Sequence, residues 1–131
     1  MSDDEDAPSR SVEDRLRELA ARMPWTNPSA PSLYIGGGWI DIVARCHADL
    51  TTIDPDHTVT QVKQKFAELR YYATPSANLA PRALHGFGSR IRLAEIEASL
   101  ACERCGRRGR LRNLEWLGVW CDEHVPHPDG S

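Results

Sequence analysis

Four residues towards the end of the sequence have the types and the spacing to hold one metal ion. Cys102-Glu103-Arg104-Cys105 is followed, fifteen residues later, by Cys121-Asp122-Glu123-His124. A two-residue spacer lets the backbone turn once, so that both side chains of a pair face the same cation. Two such half-sites about 15 to 20 residues apart are the arrangement of structural zinc modules. Three of the four cysteines fall into this pattern, more than incidental burial of cysteine would place there. Gly106, directly after Cys105, tolerates the positive φ that turns backbone amides towards thiolates. Three thiolates and an imidazole complete a tetrahedral sphere, which is the arrangement of a structural Zn2+ and leaves no open position for catalysis. Such a site is worth roughly 10 kcal/mol or more to a small module. His127 is the rival fourth ligand; Pro128 beside it and the ordinary two-residue spacer favour His124.

Other chemistry is hard to assemble. A zinc deaminase needs H-x-E ahead of P-C-x-x-C, and the surroundings of His85 and Cys102 carry neither. His47, His57 and His85 have no nucleophile or carboxylate partner at motif spacing, so the expectation is a protein that is not an enzyme. Cys46 falls on an apolar helical face and reads as a small buried hydrophobe, with its neighbour His47 exposed.

Charge points to surfaces. Arg104, Arg107, Arg108, Arg110 and Arg112 crowd the knuckle and the strand after it, with Trp116 and Trp120 nearby, a mixture suited to gripping phosphate and stacking bases. The same cations also suit a metal site of net negative charge, and Glu103, Glu115, Asp122 and Glu123 offset much of their surplus. Residues 1 to 60 hold 5 Lys/Arg against 11 Asp/Glu, whereas residues 61 to 120 hold 11 against 5. Either the halves complement each other or a basic face is left for a partner. The formal net charge of −3 favours the complement, since nucleic-acid domains are usually net basic. The candidate interaction surface is Lys63, Lys65, Arg70, Arg107, Arg108, Arg110 and Arg112.

The elements that must position these residues follow from periodicity. A chain of 131 residues has room for one compact domain with an appended metal element. No apolar run approaches the roughly 20 residues of a membrane-spanning helix. The acidic start, Met1 to Ser11, is neither a secretory signal nor a transit peptide; residues 1–10 read as a disordered tail, and the expected compartment is the cytoplasm. The leftover Cys46 argues against a disulfide framework and for reducing surroundings.

Ser11 caps a first helix over about 12–23, closed by Pro24, and Gly36-Gly37-Gly38 reads as a flexible hinge or tight turn. Trp39, Ile42, Val43, Cys46 and Leu50 trace the buried face of a second helix, ended at Asp54-Pro55-Asp56. Residues 59–74 fit a hairpin with its loop at Ala67-Glu68, pairing Phe66 with Leu69, Gln64 with Tyr71 and Val62 with Ala73 on an apolar face. Lys65 with Arg70 and Lys63 with Tyr72 make a basic face; a helix is the alternative. Pro75 to Gly88 reads as a loop, and Ser89 as the cap of a third helix running into Cys102. Within the module, Arg110 to Arg112 and Leu117 to Trp120 read as short strands, in the manner of a zinc ribbon or truncated treble clef. The fold class is α+β: about three helices and a β-hairpin over residues 11–101, a zinc knuckle and hairpin over 102–124, and a flexible tail over 125–131.

Taken together, Gly37-Gly38-Trp39, the V-K-x-K-F-x-x-L-R-x-Y block from Val62 to Tyr72, and the C-x-x-C-G…L-R…W…C-x-x-H module from Cys102 to His124 resemble a group of small bacterial and bacteriophage proteins. The resemblance covers roughly residues 35–124 and places glycine at the position of Ala67, which favours the hairpin. It implies a fold unit of helix, hairpin, helix and zinc module, and a phage or mobile-element setting, without an activity. The expected function is a non-enzymatic zinc protein that binds another macromolecule, a protein before a nucleic acid or a role in transcriptional regulation. No small-molecule substrate or membrane is expected.

Overall fold

The computed structural model describes residues 10–126. The acidic tail expected over 1–10 lies outside that range except for Arg10. His127 and the tail beyond it also lie outside.

The first helix, α1, spans Val12–Arg22, with the Ser11 hydroxyl accepting the Asp14 amide at 3.0 Å, as the cap pattern requires. Leu19, Met23 and Trp25 enter the core behind it. The Pro- and Gly-rich stretch that follows is more ordered than its composition suggests. It contains a short strand, β1 (Leu33–Tyr34), and a 3-10 turn over Gly37–Trp39 that leads directly into α2 (Ile40–Ile53). The buried face of α2 is Ile40, Ile42, Val43, Cys46 and Leu50, close to the predicted stripe, with Trp39 fully enclosed just ahead of it.

The hairpin is formed by β2 (Thr58–Lys65) and β3 (Glu68–Thr74), with β1 added in parallel beside β2. Its register corrects the predicted one. Gln64 lies opposite Leu69, Val62 opposite Tyr71, Lys63 opposite Arg70 and Lys65 opposite Glu68. The turn is Phe66-Ala67, and both residues have positive φ, 52° and 66°, as a two-residue primed turn demands. Moving the turn by one residue shifts partners by two, so each strand residue keeps its expected face because side chains alternate with period two. The observed register sets Lys65 against Glu68, an opposite-charge pair, and buries Val62, Leu69 and Tyr71 together against the helices.

The last helix, α3 (Pro81–Ser99), begins eight residues before the predicted Ser89 cap. Pro81 occupies the first turn, where a missing N–H costs nothing. The helix then continues through Gly86 and Gly88 because Phe87 between them is buried in the core. Ser89 is an interior residue whose hydroxyl donates to the His85 carbonyl. α3 packs on α2 and on β3, and a small hairpin of β4 (Arg110–Asn113) and β5 (Leu117–Trp120) closes the chain. Among the described residues no helix is long and apolar enough to cross a membrane.

His47 is half-buried, not exposed as predicted. The turn after α2 folds His57 back over that helix until the two rings lie 6.2 Å apart, with Phe87 edge-on to His57. His57 Nδ1 meets the Asp54 carbonyl at 2.8 Å, while His57 Nε2 and His47 Nδ1 have no partner among the described residues. Burial, then His57 and Arg22, hold His47 below its ordinary 6.5. Neutral His47 is therefore favoured in the folded state, and its stabilising share is present above pH 6.5 and lost as pH falls through the lowered value. Melting temperatures between pH 7.5 and 5 should fall less steeply for His47→Gln than for the parent protein. At the turn, Phe66 is 65% exposed in a conformation that costs a side chain about 1 kcal/mol. Phe66→Asn, which tolerates it, should stabilise the fold by about that amount in urea unfolding.

Candidate metal centre

Two short backbone turns bring the predicted ligands together. Cys102 follows the end of α3, its N–H donating to the Arg107 carbonyl at 2.7 Å, while the Gly106 N–H returns to the Cys102 carbonyl at 2.8 Å. Gly106 has φ +82°, the conformation expected of the knuckle glycine. The second turn runs from Cys121 to His124, closed by the His124 N–H on the Cys121 carbonyl at 3.2 Å. The β4–β5 hairpin carries the second half-site back to the first.

Three sulfurs and one imidazole nitrogen lie within 4.8 Å of one another. Cys105 Sγ and Cys121 Sγ are 3.7 Å apart, and His124 Nδ1 is 3.7 Å from Cys102 Sγ and 3.1 Å from Cys121 Sγ. A tetrahedral ion with metal–sulfur bonds of about 2.3 Å has sulfur–sulfur edges of about 3.8 Å, so the four donors can hold one metal ion. Their electrostatics point the same way. Burial would raise the Cys102 thiol, but the N–H groups of Cys121, Cys105 and Arg104 outweigh it and bring the pKa from 9.0 down to about 6. Cys105 moves upward, through burial and then through the neighbouring Cys102 and Cys121. Crowded thiols resist joint ionisation, and a cation among them removes that conflict.

The knuckle is seated on the Gly-rich turn. Gly38 N–H donates to the Glu103 carbonyl at 2.9 Å, and the Trp39 indole N–H donates to the Ala101 carbonyl at 2.9 Å. A Cβ on Gly38 would overlap the Cys102 carbonyl oxygen and the amide nitrogens of Cys105 and Gly106. Of the two expectations for this run, a flexible hinge or a tight turn, the structure has the turn, and it forms a fixed seat because only a residue without a side chain lets two backbones meet there. Glu103, an unmarked spacer in the motif, ties the module together. Its N–H donates to the Val119 carbonyl at 2.9 Å, its carboxylate accepts the Val119 N–H at 3.0 Å, and Gln64 Nε2 reaches that same carboxylate at 3.4 Å. A spacer shows no periodicity, so only the preceding G-G-G-W run offered a sequence signal for this interface.

The seven predicted surface cations differ in how they are paired. Arg112 is largely covered, paired to Asp122 at 2.7 Å and donating to the Trp120 carbonyl; that pairing holds the Asp122 carboxyl below its usual range. Arg70 pairs with Glu68 at 2.6 Å and lines a cavity with Glu95 of α3. Arg107 and Glu123 approach to 3.8 Å with both side chains largely exposed, a contact of little energetic weight. Lys63, Lys65, Arg108 and Arg110 have no ion pair among the described residues. None of the seven ion pairs joins a carboxylate from residues 1–60 to a cation from 61–120, so the complement expected between the halves is not made by the described side chains. Cys46 is buried as expected, and burial, followed by Asp49, pushes its thiol up to about 12.

Fold and site define a small α+β domain with a C-terminal Cys3His metal-binding module. No family model, curated protein or solved structure matches the chain.

Two outcomes follow from this construction. Chelation at pH 7 should lower the melting temperature and change the near-UV signal of Trp39 and Trp120, and restoring the metal should reverse both; an unchanged melt would show that the donors carry no stabilising ion. Gly38→Ala should cost more than about 2 kcal/mol in unfolding free energy and weaken metal retention in a chelator competition.

Proposed function

We propose that the chain is a non-enzymatic, zinc-stabilised module that binds another protein through the hairpin its metal site clamps in place. Three thiolates and an imidazole are a donor set suited to zinc, and four protein donors close its coordination sphere, leaving no position at which water or substrate would be activated. The ion's part is then to fix the β4–β5 hairpin against α3 and the Gly-rich turn.

The observation that carries the reading is the apolar surface of that hairpin. Leu111 and Trp116 are 60% and 56% exposed, and Leu114 and Leu117 stand open beside them. Leu111 and Leu117 lie on one face of the hairpin, on the same side as buried Val119. Four large apolar side chains within seven residues, on a segment too short to hold itself up without the metal, are what a protein interface uses. The exposed tryptophan among them is a natural anchor. A reducing cytoplasm fits the thiolate site, and the sequence resemblance implies a phage or mobile-element setting.

Elemental analysis should give one zinc per chain, and cobalt substitution should give the absorption of a tetrahedral thiolate site. A partner captured from host extract and purified should bind the metal-loaded chain, with Trp116→Ala or Leu111→Asp weakening binding at least tenfold. Full binding by both variants, or no partner at all, would remove the reading.

A further inference from the structure

The face of the three-stranded sheet turned away from the helices carries a second set of exposed groups. Strand register places Tyr34 of β1 beside Lys63 of β2 and Lys63 beside Arg70 of β3, with Tyr72 two residues further along β3 and opposite Gln61. These side chains share the outer face, since Leu33, Val62, Leu69 and Tyr71 occupy the inner one. Tyr34 is 64% exposed and Tyr72 46%. At the open end of the same face, Lys65 Nζ lies 5.5 Å from the centre of the Phe66 ring. Three aromatic rings thus stand in water with two unpaired lysines between them.

This pattern differs from the β4–β5 hairpin, where apolar groups are contiguous. Strands lie about 4.8 Å apart and rise about 3.4 Å per residue, so Tyr34 and Tyr72 are separated by about 12 Å with Lys63 in the gap. Separated aromatics on an open sheet, interleaved with cations, suit bases that stack singly while phosphates pass over the lysines. The face carries Lys63 and Lys65, neither with an ion pair among the described residues, while Arg70 on the edge strand pairs with Glu68 and lines a cavity with Glu95 of α3. Its residual charge is therefore positive within a chain of net charge −3. Phe66 adds an independent indication. A bulky, exposed aromatic held at φ 52° gives up stability that asparagine or glycine would keep, and retained strain of this kind clusters at binding surfaces.

We infer that the outer sheet face binds single-stranded nucleic acid, with Tyr34, Tyr72 and Phe66 stacking on bases and Lys63 and Lys65 contacting phosphates. A duplex is excluded as the preferred ligand because its bases are already stacked and closed to the rings. The surface adjoins the β4–β5 hairpin, where Gln64 Nε2 reaches the Leu117 carbonyl at 3.5 Å, but the two share no proposed contact residue, and the two readings stand or fall independently.

The test is fluorescence anisotropy with the metal-loaded full chain and labelled ten-nucleotide oligouridine, ten-nucleotide oligothymidine and a ten-base-pair duplex at about 50 mM salt. Single strands should bind with a Kd of about 10 to 100 μM, and the duplex more weakly. Tyr34→Ala and Tyr72→Ala should each weaken binding about tenfold, while Tyr→Phe at either position leaves it unchanged. Lys63→Ala and Lys65→Ala should each flatten the slope of log Kobs against log salt by about 0.7. Phe66→Asn should raise the melting temperature and weaken binding together, a combination that a structural role would not produce. Equal affinity for RNA and DNA assigns recognition to stacking and phosphate; tighter RNA binding adds a contact to the 2′-hydroxyl. The inference is overturned if neither single strand binds, if the duplex binds as tightly, or if both Tyr→Ala variants bind fully. It is equally overturned if Arg108→Ala with Arg110→Ala abolishes binding that the tyrosine variants retain. Trp116→Ala should leave nucleic-acid binding intact and Tyr72→Ala should leave protein capture intact, so failure of one surface is distinguishable from failure of the other.

Discussion

Everything in this molecule is referred to the contact between the Gly-rich turn and the first metal half-site. At Gly38 two stretches of backbone meet with no side chain between them, and Trp39 beside it donates its indole N–H to the Ala101 carbonyl from a fully buried position. The contact joins the start of α2 to the end of α3 across 62 residues of sequence. Burying so large a side chain with its one polar atom satisfied avoids the cost of an orphaned donor. The same residue therefore serves the apolar core and the metal module, which makes the two a single structural unit.

The module itself has little else to hold it. Between Cys102 and His124 only Cys102, Val119 and Trp120 are buried among its large or sulfur-bearing side chains, too little apolar area to order two short strands against their chain entropy. Backbone hydrogen bonds through Glu103 set its orientation, and four side chains stand close enough together to hold a metal ion that would supply the remainder. This explains why the hairpin can display Leu111, Leu114, Trp116 and Leu117 outward: a segment stabilised by coordination does not need its leucines inside.

Charge is distributed by local pairing. Most ion pairs join residues close in sequence or on adjoining turns, such as Arg17 with Asp14 and Arg112 with Asp122. The one long pair between the halves runs from Arg45 to Glu97, with the cation on the acidic half. The consequence is that Lys63, Lys65, Arg108 and Arg110 have no ion pair among the described residues, and Arg110, opposite Trp120, lies on the hairpin face away from Leu111 and Leu117. The outer sheet face displays Tyr34 and Tyr72, whereas the β4–β5 hairpin displays Leu111, Leu114, Trp116 and Leu117, so the two surfaces differ in texture.

The sequence by itself determined the four metal ligands, the α1 cap, the buried stripe of α2, the existence of the 59–74 hairpin and the two module strands. Each is encoded by short-range spacing: a two-residue spacer, a helical period or strand alternation that nearby residues reveal unaided. It did not determine the hairpin register, the early start of α3, the half-buried His47, the parallel strand β1 or the seat at Gly36 to Gly38. Those were decided by packing between segments far apart in the chain. Phe66 and Ala67 accept positive φ because Leu69 and Tyr71 are then buried. Gly86 and Gly88 remain helical because Phe87 between them is held by the core. A glycine run reads equally as a hinge or a turn until a knuckle far along the chain is found resting on it.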